Sequence, residues 1–167
     1  RGHKTNFYEG GIRTPMIARW PGKIKAGVVN EKLAWSFCDV LPTLCELAGV
    51  GAPAGIDGLS VVPTLLGKGK QKEQPYLYWE LPRQISAETG EFSKDPPMQA
   101  LRMGRWKAVR PKESAPLELY DLLADPREQK DLAKTRPGEL KKLEALLATV
   151  RTQPRAVKNV TRGYWDE

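Results

Sequence analysis

Gln99-Ala100-Leu101-Arg102-Met103-Gly104-Arg105-Trp106-Lys107-Ala108-Val109-Arg110 decides the fold. Apolar and polar side chains alternate on both sides of Met103-Gly104-Arg105, and a period of two broken by a glycine turn is the pattern of paired β-strands. Leu117-Glu118-Leu119-Tyr120 repeats the alternation downstream, and Tyr76-Leu77-Tyr78-Trp79-Glu80 supplies another short β-like run upstream. The alternation in the last three of these runs, in chain order, predicts an antiparallel meander with one wet face.

A dry face needs a cover. Residues 137–152 place Leu140, Leu143, Leu146, Leu147 and Val150 on one side and Lys141, Lys142 and Glu144 on the other, so an amphipathic helix is expected to supply it. Asp125-Pro126 reads as a turn before it, and the polar tail 153–167 as extended chain. Between the first two β-like runs, residues 82–98 form a long polar insertion, and loops of that size often carry function. Glu80, Arg83 and this insertion are therefore the place to look for substrate specificity.

Upstream, Gly67 to Gln74 is a charged loop that separates two layers of structure. Before it, Val40, Leu41, Leu44, Leu47 and Ala48 recur with a helical period, which predicts a helix over 39–48. Asp39 suits its N-cap, Pro42 its first turn and Gly49 its C′ position. Val50 to Gly58 reads as irregular, and Ser60 as the cap of a short helical turn through Leu66. Thr14-Pro15 leads into Met16-Ile17-Ala18-Arg19-Trp20, a run expected to form a buried strand that Pro21-Gly22 ends. Gly10-Gly11 offers backbone that takes positive φ or passes close to a neighbour.

At 167 residues, 40% apolar and 28% charged, the chain has the composition of a globular protein. No run approaches the roughly 18 apolar residues of a membrane span. The net charge of +7 comes from 27 basic residues scattered among 20 acidic ones, which reads as a solvated basic surface rather than a dedicated polyanion groove, for nucleic acid or otherwise. Cys38 and Cys45 lie seven apart on the expected helix, about 10 Å from each other, too far for a disulfide and at no usual metal-ligand spacing. Both are expected to be free core thiols. Trp20, Trp79 and Trp106 read as core or interface aromatics rather than sugar-stacking platforms, and Asn159-Val160-Thr161 is a formal glycosylation sequon.

One set of motifs, taken in order, resembles a known family. Gly2-x-Lys4-x4-Glu9-Gly10-Gly11-x-Arg13-x-Pro15 with Trp20-Pro21-Gly22 resembles the second signature region of the sulfatases, members of the alkaline-phosphatase-like superfamily. The likeness continues through Asp39-x2-Pro42-Thr43, Asp57-Gly58, Leu101-Arg102, Gly104-x-Trp106-Lys107, Leu119-Tyr120-Asp121-Leu122 and Asp125-Pro126-x-Glu128. It implies an α/β fold, α+β in its C-terminal part. Residues 1–70 would complete a large α/β domain, and residues 75–152 would form a smaller subdomain of antiparallel sheet and long helix.

The resemblance also implies roles. Lys4 stands where the family places a lysine that contacts the sulfate, so it is the catalytic and substrate-binding candidate. His3, the one histidine, is a secondary substrate-binding candidate at the pocket mouth, since the family's active-site histidines lie upstream of it. Glu9 and Arg13, an ion-pair candidate, would be a structural clamp that orients Lys4. Family members use a formylglycine made within C/S-x-P-x-R and a calcium ion, and neither Cys38 nor Cys45 lies in that motif. Both groups are expected from an N-terminal part that this chain lacks; no metal ligand is assigned here.

The chain then reads as the C-terminal portion of a sulfatase, acting in its intact form on a sulfated small molecule or glycan, and inactive and prone to self-association in isolation. Family members are secreted, periplasmic or lysosomal. The competing readings are a phosphonate or phosphodiester hydrolase of the same superfamily and a non-catalytic polyanion-binding module.

Overall fold

The computed structural model describes residues 1–81 and 97–150. Strands β1 (Leu77–Glu80), β2 (Gln99–Met103), β3 (Trp106–Arg110) and β4 (Glu118–Asp121) form one antiparallel sheet in the order β1-β2-β3-β4. This is the meander that the alternation predicts. Its register sets Tyr78, Leu101, Ala108 and Leu119 in one row across the sheet and Trp79, Ala100, Val109 and Glu118 in the next. At its end Asp121 accepts hydrogen bonds from Arg105 and from the Leu123 and Ala124 N–H groups, which turns the chain out of β4. The Arg105 bonds hold the Asp121 carboxyl below the usual carboxylate range.

The long helix α4 (Pro137–Val150) covers the first row, as its apolar stripe requires. Leu143 and Leu147 are buried against Leu101, Ala108, Leu117 and Leu119, with Trp106, Leu140, Leu146 and Val150 at the margin. At about 1.5–3 kcal/mol for each large apolar side chain taken out of water, this contact is the main source of the sheet's cohesion.

The second face is not wet. Phe7 and Tyr8 pack on Ala100, Val109 and Tyr120, with Ile12, Trp79, Met98 and Leu122 beside them, so the amino-terminal segment closes the face that the alternation leaves to solvent. The polar residues that suggested solvation find protein partners there instead. Lys107 and Tyr120 are each fully buried.

Residues 14–74 are organised differently. A turn at Phe37–Asp39 leads into α2 (Val40–Leu47), and α3 (Val62–Leu66) follows. Helix α2 ends in a Schellman motif, with Gly49 N–H on Glu46 O and Val50 N–H on Cys45 O. Gly49 at C′ and Asp39 at the N-cap position are as expected, but the Asp39 side chain caps no N–H of α2 and instead forms a capping box with Ser36. The Asp39 carboxylate, 1% exposed, accepts the N–H groups of Ser36 (2.8 Å) and Leu59 (2.7 Å) and the Gln74 side-chain amide (3.0 Å). Thr43 completes the tie, donating to Asp39 O while accepting the Val61 N–H. Gly58 must lack a side chain, because a β-carbon there would strike Cys38 O. The Ser60 hydroxyl accepts the Val62 N–H at the start of α3.

Several expectations fail in this region. Met16–Trp20 belongs to no strand and is exposed, with Ile17 94% accessible. A strand needs a neighbour for its N–H and C=O groups, and among the described residues none lies beside it. Helix α2 buries Pro42 and Thr43 rather than its apolar stripe, leaving Leu41 and Leu44 about half exposed. Cys38 and Cys45 are free, as expected, but Cys38 is exposed and Cys45 only half-buried. Trp79 and Trp106 pack at the two cores, whereas Trp20 is 41% exposed. Arg83, most of the insertion 82–98, the tail 153–167 and the sequon at Asn159 lie outside the described residues.

Candidate anion-contact turn

Lys4 sits at the tip of a tight turn. The Asn6 N–H reaches His3 O (3.2 Å), the His3 N–H reaches Asn6 Oδ1 (3.2 Å), and Thr5 takes a φ of +79°, a left-handed conformation that a β-branched residue adopts only when its surroundings impose it. His3 Nδ1 donates to Lys4 O at 2.8 Å, closing the turn from the side. The Lys4 side chain is exposed and forms no ion pair among the described residues.

What fixes the turn is the short helix α1 (Glu9–Ile12) behind it. Gly10 N–H donates to Arg1 O at 2.8 Å. A β-carbon on Gly10 would collide with Gly2 O, and one on Gly11 would collide with Asn6 O and His3 O. The paired glycines are thus needed for close approach, and the helix and the Lys4 turn form one backbone unit.

Glu9 anchors that unit to the sheet. Its carboxylate lies 2.8 Å from Lys107 Nζ, and its N–H donates to Glu128 Oε2 at 2.6 Å. Glu128 Oε1 in turn lies 2.7 Å from Lys107 Nζ, off the line of a good hydrogen bond. The expected partner of Glu9, Arg13, is exposed and has no carboxylate within ion-pair distance among the described residues; it contributes only its N–H to Glu9 O. A nearby i+4 cation loses to a lysine from β3 because the sheet brings Lys107 to Glu9 with its desolvation already offset by Glu128.

A second polar cluster sits beside the first. The hydroxyls of Tyr8 and Tyr120 both donate to Glu118 Oε2 at 2.6 Å, and the Arg1 guanidinium donates to both hydroxyls while lying 4.3 Å from the centre of the Tyr8 ring. Burial, reinforced by the Glu118 carboxylate, pushes both phenols well above their ordinary pKa, so they remain neutral donors. Sequence reading missed Tyr8, Lys107, Glu118 and Glu128 as supports, although Lys107 and Glu128 stand inside the quoted motifs.

Two shallow cavities lie elsewhere. One, of about 330 Å³, is lined by Gln99, Arg110, Leu117, Glu144, Leu147 and Ala148, and another by Val29 to Lys32; neither includes Lys4 or His3. Glu80 accepts the Tyr78 hydroxyl and the Gln99 amide at the sheet edge. Among the described residues no group of three or more His, Cys, Asp or Glu could hold a metal ion, and no helix is long and apolar enough to cross a membrane.

Comparison with known proteins covers nearly the same span. The family model described as N-sulphoglucosamine sulphohydrolase, C-terminal, matches residues 3–153. A Δ4,5-hexuronate-2-O-sulfatase of Bacteroides thetaiotaomicron is 36% identical over 130 residues, which is 77% of this chain and 26% of that protein. An N-acetylgalactosamine-6-O-sulfatase of the same organism is 30% identical over 155 residues, 92% of this chain and 30% of that one. A solved chain described under metabolism of multiple glycosaminoglycans by that bacterium superposes with a TM-score of 0.67 at 28% identity, over 92% of this chain and 32% of its own. The sequence thus spans under a third of the length of each of these relatives.

Proposed function

Because this chain belongs to the N-sulphoglucosamine sulphohydrolase C-terminal family of the sulfatases, we propose that it completes the active site of a sulfuric ester hydrolase by presenting Lys4 to the sulfate of a sulfated sugar. The observation that carries this reading is the Lys4 turn: an exposed ammonium with no competing carboxylate among the described residues, on a backbone locked from behind by Gly10-Gly11. In this reading residues 1–70 complete a larger α/β domain, and residues 1–12 are the part of it seated on the sheet of the C-terminal subdomain. The names of the relatives, which act at hexuronate 2-O and N-acetylgalactosamine 6-O positions, favour a glycan sulfate over a simple aryl one.

Net hydrolysis breaks the ester S–O bond, adds water across it, and releases sulfate and the sugar alcohol. The electron pair of that bond departs on the bridging oxygen. Lys4 donates N–H to a sulfate oxygen and offsets charge gathering on the departing one, an interaction that strengthens as the bond lengthens. His3 holds the turn through its bond to Lys4 O and stands at the rim of the site. Among the described residues no carboxylate cluster fits a calcium site, and neither Cys38 nor Cys45 lies in a formylglycine motif. Both groups therefore belong, in this reading, to sequence outside this chain, and no step is drawn through them.

The test uses the full-length protein with 4-nitrophenyl sulfate and a sulfated monosaccharide. Lys4→Ala should lower kcat/KM by about 10²–10³-fold, the cost of one oxyanion donor, with the melting temperature unchanged; activity within twofold of the parent would sink the assignment. Preferential turnover of a phosphonate monoester would replace sulfatase by phosphonate hydrolase as the activity.

A further inference from the structure

We propose that Lys107 and Glu128 are positioning residues for Lys4, acting through Glu9 and helix α1; the proposal rests on the reading of Lys4 as the anion contact. Lys107 projects from β3 with its side chain fully buried, and Glu128 is equally buried. Lys107 Nζ lies between Glu9 Oε1 at 2.8 Å and Glu128 Oε1 at 2.7 Å. The other oxygen of Glu128 accepts the N–H of Glu9, the first residue of α1. One ammonium and two carboxylates thus grip the helix by both its backbone and its side chain.

This is a poor way to gain stability. Two negative charges face one positive charge where water is excluded, and apolar side chains of the same volume would hold the layers together at less cost. Glu128 also adopts a φ of +55°, on the left-handed side that a β-carbon disfavours. A strained backbone and an unbalanced buried charge at one residue are better explained by a demand on position. The position being defined is that of α1, and α1 carries the Lys4 turn: Gly10 N–H is bonded to Arg1 O, and Gly11 sits against the His3 and Asn6 carbonyls without room for a β-carbon. A shift of Glu9 therefore has no slack in which to dissipate before it reaches Lys4.

A double-mutant cycle in the full-length protein tests this. Glu128→Gln, and the pair Lys107→Met with Glu128→Gln, are each made with Lys4 present and with Lys4→Ala, and kcat and KM are measured on 4-nitrophenyl sulfate. With Lys4 present, each should lower kcat/KM by about 10- to 100-fold, the scale of a small misplacement of a catalytic group. With Lys4 already removed, each should cost less than about twofold, since nothing remains to misplace. Glu128→Gln alone leaves Lys107 paired with Glu9 and strands no buried charge, so it keeps the assay informative should the paired replacement, which takes the cation from Glu9, fold poorly. Equal losses in both backgrounds, or no loss in either, would overturn the positioning role. If Lys4→Ala itself costs nothing, the reading of Lys4 fails and takes this inference with it, a result distinct from the equal-loss outcome.

Discussion

Residues 77–150, with residues 1–12 seated upon them, and residues 14–74 treat the same kinds of side chain in opposite ways. In the first region Leu101, Leu119 and Leu143 are wholly inaccessible, and even a lysine and a glutamate are sealed in. In the second, Met16, Ile17, Trp20, Val28, Val29, Phe37, Leu41, Leu44, Val50 and Ile56 are all exposed, and the tightest packing is around a carboxylate, Asp39. The difference lies in where each region finds its partner. The sheet has a helix on one face and the amino-terminal segment on the other, whereas among the described residues α2 has the Phe37–Asp39 turn, α3 and the 57–61 loop beside it. Apolar periodicity reports that a surface seeks a cover; it does not report that these residues supply one.

The contrast can be broken most sharply at Lys107. Lys107→Ala leaves Glu9 and Glu128 buried without a counter-ion and should cost about 3–5 kcal/mol in denaturant unfolding. A loss below 1 kcal/mol would mean that water reaches the triad and that the second face of the sheet is open after all. Leu143→Ala should cost about 2–5 kcal/mol by the same measurement, as befits a leucine held between α4 and the sheet.

Gly58→Ala probes the other region. The added methyl meets Cys38 O and must push the 57–61 loop off α2, so hydrogen exchange at the Leu59 and Val61 amides should accelerate while Ala108 and Leu119 keep their protection. Acceleration in the strands as well would show that the two regions unfold together. A smaller effect comes from the phenols. Unfolded tyrosines ionise near pH 10, but folded Tyr8 and Tyr120 do so higher. The stabilisation they give is therefore complete below about pH 10 and fades as the pH rises past it. The melting temperature should fall between about pH 9.5 and 11, and fall less in a Tyr8→Phe, Tyr120→Phe variant. The smallest change belongs to Leu44→Ser: at a position 57% exposed it should alter the stability of this chain by no more than about 0.5 kcal/mol. A loss of 2 kcal/mol or more would place a cover on α2.

Strand order and the long helix were legible because each depends on local alternation and on sequence-adjacent pairing: Leu101, Ala108 and Leu119 line up in the register that their spacing implies. The role of the Asp39 carboxylate was misread because cap preference is a statement about the first turn of a helix, while two of its three donors, Leu59 and Gln74, come from 20 and 35 residues away. Glu9 was misread for a similar reason. Spacing nominated Arg13, four residues on, and the sheet delivered Lys107, 98 residues on.

The order of motifs placed the chain among the sulfatases, and hydrophobic period drew the meander and its covering helix, because both are written in residues close together along the chain. Which face of the sheet the amino-terminal segment would close and which cation would meet Glu9 were decided by tertiary contact alone. Buried charge is the physical reason: its cost is set by partners that arrive from far away in sequence, and no local pattern names them.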